Sequence, residues 1–293
     1  MPGRSPRLRE NAPGPFFVNG RCINCGTCWQ FDPQHFAPAR STAHVFRQPS
    51  GDWELQQAQL ALQACPVAAI QATPASSRGR PKHGFPVWVT SHEHGEVFYC
   101  GWASRKSFGA CSWLVQGSTG NVLIDVPRWS APLARRIRAM GGLNAIVLTH
   151  RDDVADHQQW SRAFGCERVI HCADADAAPE AEHLLEGRDS RAIASGLQLI
   201  PTPGHTAGSI CALLGEQQAV LFSGDHLWWN RDRQVLVCSE AYCWWDFHEQ
   251  IRSLQKLEHL DVAWLLPAHG HRHFFEAGEW RKAVQQTLQW VMG

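Results

Sequence analysis

The chain has 293 residues, 44% of them hydrophobic, and its 27 Lys and Arg are balanced by 27 Asp and Glu. That length and apolar content suffice for one large domain with a small companion. The zero net charge offers no field to nucleic acid or an anionic lipid surface, and no apolar run approaches the ~18 residues that span a bilayer. Neither a nucleic-acid nor a membrane partner is expected.

The stretch "MPGRSPRLRENAPGPF" lacks the apolar core of a secretory signal, and residues 1–15 read as a disordered tail. Without a secretion signal, eleven cysteines point to reduced thiols and metal ligands rather than a disulfide framework. A cytoplasmic protein is expected.

Next, "GRCINCGTCWQFDP" spaces Cys22, Cys25 and Cys28 two residues apart, and "ALQACPVAAI" sets Cys65 directly before Pro66. A tight loop can wrap three thiolates around one face of a cubane, and the fourth ligand must arrive from elsewhere. Zinc sites usually pair two C-x2-C knuckles, whereas one run stands here; three inert thiols are the other alternative. Residues 16–71 resemble single-cluster ferredoxin domains, down to Gly26 inside the ligand loop and the apolar Ala69-Ile70 after the C-P. The resemblance implies one [4Fe–4S] cluster held by Cys22, Cys25, Cys28 and Cys65, with a redox partner protein. Residues 72–86, "ATPASSRGRPKHGFP", read as a linker.

From residue 87 to 293 the apolar runs share a habit. "AIVLTH" ends in His150, "LQLIPTPGH" in His205, "AVLFSGD" in Asp225, and "AWLLPAHG" delivers His269. One such histidine is ordinarily a satisfied core group; four strand ends with metal-competent side chains fit one metal centre if the strands are neighbours. The stretch "HRDDVADH" crowds three Asp and two His, which is costly to bury unless something pairs with them. A polar loop leading into a helix N-terminus is the bland alternative.

"TH" with a later "DH", then "PTPGHTAGS", "LFSGDH" and "LLPAHG", together resemble the metallo-β-lactamase superfamily, in its motif order. Asp125 in "NVLIDVP" resembles the family's earlier acidic motif. The resemblance implies an α/β (α+β) fold, an αββα sandwich over 87–293 preceded by the small ferredoxin-like domain. It also implies two divalent ions, zinc or iron, and a small-molecule substrate. Matched residue by residue, His150, His205 and Asp225 form one ion position. Asp156, His157 and His269 form the second and share Asp225, with Asp156 and Asp225 as the catalytic carboxylates. The family pattern H-x-H-x-D-H is not kept, however. No histidine lies between His150 and His157, so Asp152 or Asp153 takes the missing place, or nothing does. Asp152 in that place adds a hard oxygen ligand and shifts preference from zinc towards iron.

Two helices are expected outside the sheets. Phe247, Ile251, Leu254 and Leu257 make one apolar stripe, and Trp280, Val284, Leu288 and Val291 another. The pairs Trp228-Trp229 and Trp244-Trp245 are expected to wall an apolar pocket. "PTPGHTAGS" is most similar to the glyoxalase II branch, which implies hydrolysis of a thioester, ester or lactone. Two other functions fit the fusion: a cluster passing electrons to a diiron-type site, and a redox-sensing module with a degenerate site.

Overall fold

The computed structural model describes residues 5–73 and 84–292. Most of the expected linker therefore lies outside the described residues. The front domain holds β1 (Phe16–Val18), α1 (Thr27–Phe31), β2 (Phe36–Pro38), β3 (Ala43–Val45), α2 (Gly51–Ala64) and β4 (Ile70–Ala72). β1 pairs with β4 and β2 with β3, both antiparallel. Phe16, Val18, Phe36, Val45, Ala61 and Ile70 close its core.

Residues 5–15 correct the expected disordered tail. Asn11 is buried and its amide replaces missing ladder partners. Its Nδ2 donates to Leu8 O at 2.8 Å and Val18 O at 2.9 Å, while its Oδ1 accepts from Val18 N at 2.8 Å and Val45 N at 3.0 Å. Four backbone groups satisfied by one side chain hold this segment against β1 and β3.

The back domain begins with β5 (Val87–His92), β6 (Gly95–Tyr99), β7 (Trp113–Gly117), β8 (Gly120–Ile124), α3 (Ala131–Ala139), β9 (Ala145–Val147), α4 (His157–Phe164), β10 (Glu167–His171) and β11 (His183–Leu185). These strands form one seven-stranded sheet in the order β11-β10-β9-β8-β7-β6-β5. It continues with β12 (Arg191–Ala194), β13 (Leu197–Pro201), β14 (Ile210–Leu214), β15 (Ala219–Gly224), β16 (Trp228–Asn230), β17 (Val235–Val237), α5 (Phe247–Leu257), β18 (Val262–Pro267), β19 (His273–Phe274) and α6 (Glu279–Met292). The second sheet is six-stranded, ordered β12-β13-β14-β15-β18-β19, and β16 and β17 form a separate two-stranded sheet.

Side-chain alternation shows why the sheets stack. Along β14, Ile210, Ala212 and Leu214 join the cluster shared with the first sheet, while Cys211 and Leu213 join the one that contains α5 and α6. Successive strand residues face opposite sides, so a strand apolar throughout must be covered on both. Ile251, Leu254, Leu257, Trp280, Val284 and Leu288 supply the outer cover, as their spacing predicts. The layers are therefore helix, sheet, sheet, helix.

The two domains share packing. Leu60 and Ala64 of α2 belong to the large back-domain core. Ala103 N donates to Ala64 O at 3.1 Å, and Arg128 Nη2 donates to Gln63 O at 2.8 Å. Phe85, at the end of the expected linker, is buried with its ring 5.7 Å from Phe31 and 5.4 Å from Tyr99.

Candidate metal centre

β14 runs antiparallel to both β13 and β15, and β15 is parallel to β18. The C-terminal ends of β13, β15 and β18 therefore lie on one edge of the second sheet, bringing His205, Asp225 and His269 together. His150 follows β9 of the first sheet, and the bond from Ile210 N to Thr149 O, 2.8 Å, ties the two edges. Gly224, at φ 52°, makes this approach possible, because a Cβ there would lie 2.6 Å from Thr149 Oγ1.

Two triads result: His150, His205 and Asp225, and Asp153, Asp225 and His269, each with its ligand-type atoms within 4.8 Å of one another. Asp225 Oδ2 is 3.7 Å from both His150 Nε2 and His205 Nε2, and 4.0 Å from His269 Nε2. Asp152 Oδ2 stands 3.4 Å from His205 Nε2 and 3.9 Å from His150 Nε2. Thus both aspartates of the atypical motif reach the centre, one on each side. His150 Nε2, His205 Nε2, Asp153 Oδ2 and Asp225 Oδ1 are buried with no hydrogen-bond partner among the described residues. Buried polar atoms are rarely left so. Their convergence fits divalent cations.

The electrostatics agree. Burial, reinforced by repulsion from Asp225, Asp125 and Asp152, pushes the Asp153 carboxyl well above the usual range. Burial also opposes ionisation of Asp225, but His269, His150 and His205 outweigh it and hold that carboxyl low. Burial pulls the His150 imidazole below its ordinary value. Against its burial, Asp152, Asp225 and the Tyr242 carbonyl raise the His205 imidazole, so a cation bound there would displace a proton.

Bracing fixes which ring nitrogen faces the centre. Thr149 Oγ1 donates to Asp125 Oδ2 at 2.9 Å, so the Thr149 hydroxyl oxygen accepts from His150 Nδ1 at 3.0 Å and leaves His150 Nε2 as a lone pair. Burial, against two Thr149 hydrogen bonds, pushes Asp125 up to about 7. Likewise His205 Nδ1 donates to Tyr242 O at 2.6 Å. A Thr149→Val substitution should weaken metal retention by about 10- to 100-fold. Chelator competition would measure that loss, and unchanged affinity would show that the Asp125–Thr149–His150 relay is dispensable.

Asp156 and His157 are corrected, both as expected ligands and, for Asp156, as a catalytic carboxylate. Asp156 Oδ1 accepts from Lys106 Nζ at 2.7 Å and Oδ2 from Trp129 N at 2.8 Å. His157 starts α4, where Arg168 Nη1 donates to its Nδ1 at 3.3 Å. The single 3-10 turn Arg151–Asp153 delivers the carboxylates early, and Ala155 at φ 35° turns the chain away. An Asp156→Asn variant should keep its full metal content and lose about 1 kcal/mol of stability or less, since the Lys106 pair is solvent-screened. Metal analysis with thermal unfolding tests both halves. Sequence reasoning missed Asp174, whose buried carboxylate accepts from Thr206 Oγ1 at 2.5 Å, Gly208 N at 3.1 Å and Arg151 N at 3.0 Å. It braces the loops that carry His150 and His205.

In the front domain, Cys28 and Cys65 are buried, and Cys22 and Cys25 half-buried. Cys22 Sγ accepts from Asn24 N at 3.4 Å and Ala43 N at 3.2 Å, and Cys65 Sγ accepts from Ala69 N at 3.3 Å. Burial pushes the Cys28 thiol well up, with Cys25, Cys65 and Cys22 adding to it. Four thiols close enough to repel one another as thiolates, with backbone N–H groups aimed at sulfur, fit a cluster. Cys25 packs against Gly109, at φ 89°, where a Cβ would lie 2.7 Å from its Sγ.

A cavity of about 950 Å³ opens over the back-domain centre. Asp152, Asp153, Asp225, His205 and His269 line it, with Asn24, Cys25, Trp29 and Gln30 of the front domain opposite. Trp228, Trp244 and Trp245 wall it as expected, whereas Trp229 is buried in the core.

Comparison with known proteins accords with this architecture. Residues 18–72 match the family described as the 4Fe-4S single cluster domain of Ferredoxin I. The hydroxyacylglutathione hydrolase of Acidiphilium cryptum is 30% identical over 151 residues, covering 50% of this chain and 59% of its own. That of Rhodospirillum rubrum is 28% identical over 141 residues, covering 47% and 54%. The chain thus spans little more than half the length of these curated relatives. Among solved structures, the mono-zinc FIM-1 metallo-beta-lactamase of Pseudomonas aeruginosa superposes with a TM-score of 0.52 at 18% identity, over 73% of this chain and 99% of that one. The metallo-beta-lactamase of Pontibacter korlensis gives 0.51 at 18% identity, over 71% and 99%. The chain joins a single-cluster ferredoxin-type domain to a metallo-β-lactamase fold.

Proposed function

We propose that this fusion is a metal-dependent hydrolase of thioester, ester or lactone bonds. The observation that carries the reading is the pair of triads sharing Asp225 at the floor of the cavity. His150, His205 and Asp152 would hold one ion, Asp153 and His269 the other, and Asp225 both. When bound, two such ions supply Lewis acidity and lower the pKa of a water to near neutral. The protein's own residues orient the site: Thr149 and Tyr242 fix the tautomers of His150 and His205. The relatives named hydroxyacylglutathione hydrolase support a thioester as the bond broken. Asp152 beside His205 favours iron, or mixed iron and zinc, over a zinc pair.

The four front-domain thiols would hold one [4Fe–4S] cluster, served by a redox partner protein. All eleven cysteines are free thiols, which fits a cytoplasmic location. Among the described residues no helix is long and apolar enough to cross a membrane.

The test is metal and sulfide analysis of protein purified without oxygen, followed by thioester hydrolysis before and after chelation. The expected result is about two ions in the back domain and hydrolysis that chelation abolishes and metal restores. A back domain that takes up no metal would overturn the reading.

One observation favours a second reading, an electron relay. Cys25 Sγ and Thr27 Oγ1 are 3.2 Å apart, Thr27 Oγ1 donates to Gly109 O at 2.9 Å, and Cys111 N donates to Ala268 O at 2.8 Å. This chain of bonds joins a candidate cluster thiol to the residue before His269. If electrons use it, one-electron reduction of the cluster by dithionite will alter the magnetic resonance signal of back-domain iron.

A further inference from the structure

A second cavity, of about 510 Å³, opens beside the cluster loop. Both domains line it: Arg21, Ile23, Pro66 and Ala68 from the front, Arg105 and Arg128 from the back. Arg21 and Ile23 flank Cys22, and Pro66 follows Cys65, so two of the four candidate cluster ligands adjoin its wall in sequence. Asn24 and Cys25 of the same loop line the cavity over the metal centre instead. The cluster loop is thus reached from two openings.

The second opening is basic. Three guanidinium groups line it and no carboxylate does. Arg128 is half-buried and fixed: its Nη2 donates to Gln63 O at 2.8 Å, and it lies 5.0 Å from the centre of the Trp102 ring. Burial pulls this guanidinium below its ordinary value, against the attraction of Cys65. Arg21 and Arg105 differ, because both are exposed and neither has a side-chain hydrogen bond or ion pair among the described residues. Each keeps its charge and its forked donors for a carboxylate from outside. Half-buried Ile23 and exposed Ala68 add apolar surface to the same wall, and arginine beside apolar surface is a composition common in protein interfaces. A cluster held by four thiolates is itself an anion, so an acidic partner approaches it only where cations stand between. Arg128, beside Cys65, offsets the cluster, whereas exposed Arg21 and Arg105 present their charge to solvent. The chain carries no net charge, so a preference for acidic partners here arises locally.

We propose that this basic opening is the docking surface for an acidic electron-carrier protein, whose carboxylates Arg21 and Arg105 receive. The proposal rests on the cluster assignment above. One electron passes between carrier and cluster, the one oxidised as the other is reduced, and no bond forms or breaks. Carboxylates paired with these arginines set the carrier against the two segments that hold Cys22 and Cys65. The cavity over the metal centre stays open to substrate.

One electron acceptor in two charge forms tests the surface: native cytochrome c, which is basic, and fully succinylated cytochrome c, which is acidic. The full-length, metal-loaded protein is reduced without oxygen by dithionite or photoreduced deazaflavin, freed of reductant and mixed with each form in a stopped-flow cell. At low ionic strength the succinylated form should oxidise the cluster at least about tenfold faster, and about 0.5 M salt should remove most of that difference. Arg21→Glu combined with Arg105→Glu should slow the succinylated form about tenfold and speed the native form, with sulfide content unchanged. Arg105→Glu alone, outside the cluster domain, should slow the succinylated form about threefold, and so should Arg21→Gln. Equal or faster oxidation by native cytochrome c, a ratio that salt leaves intact, or one that Arg105→Glu leaves intact would overturn the proposal. So would a cluster that neither reductant reduces. An Arg21→Gln protein that sheds its sulfide would assign Arg21 to cluster retention and end its place in the docking surface. Protein without sulfide removes the cluster assignment and the docking surface together. A full, reducible cluster without charge preference removes the docking surface alone.

Discussion

Replacing Asp225 by Ala is expected to empty both ion positions together and to lower thioester hydrolysis by at least about a thousandfold. Asp225 is the one residue common to both triads, and its carboxylate lies within 4.0 Å of His269 and 3.7 Å of the other two imidazoles. Without it, His150 and His205 keep their bracing hydrogen bonds but share no anion deep in the site. An Asp153→Ala variant makes the contrast, because it should lose only the ion on the His269 side. In the metal-free protein His269, His150 and His205 favour the charged Asp225 carboxylate, so Asp225→Ala should lower the melting temperature, even as it relieves the repulsion on Asp153. Ion counting by plasma mass spectrometry, beside thermal unfolding of the metal-free proteins, reads both effects. An Asp225→Ala protein that retains two ions would show that the centre lies elsewhere.

The second large effect belongs to the front domain. Cys65→Ala should remove the whole cluster, about four iron and four sulfide per chain, and with it the brown colour. The back-domain ions should remain. Cys65 caps α2, whose last residues carry the docking bonds from Ala103 and Arg128. Losing the cluster should therefore speed hydrogen exchange across residues 16–72 and along the cavity wall at Trp29, while β13, β15 and β18 stay protected. A variant that keeps iron and sulfide at the original stoichiometry would refute the four-cysteine assignment. One that loses the back-domain ions as well would mean that the two sites are not separable.

Much of this was legible in local sequence because the features themselves are local. Three cysteines on one loop need only that loop to come together, and Ile251, Leu254 and Leu257 share a face through the helical period alone. His150, His205, Asp225 and His269 were found because each ends an apolar strand, and strand ends are marked by the change from β-branched and leucine-rich residues to Gly, Pro and polar ones.

The misassignments are those in which chain order and spatial order part. Asp156 and His157 match a family spacing, yet a 3-10 turn and a left-handed Ala155 bring Asp152 and Asp153 to the centre and send Asp156 to Lys106. Motif matching assumes a register, and two extra residues change where each side chain points. Asn11 sits in a stretch with no apolar period, and apart from Leu8 O its partners lie on β1 and β3, which reach it only after folding. The seating of the cluster loop on the centre was equally invisible. Thr27 and Gly109 are 82 residues apart, and neither has a composition that announces the other. Sequence by itself determined which chemical groups this protein carries and on which elements. Tertiary structure alone decided which of them converge and that two domains share one cavity, because convergence depends on packing between distant segments rather than on any local pattern.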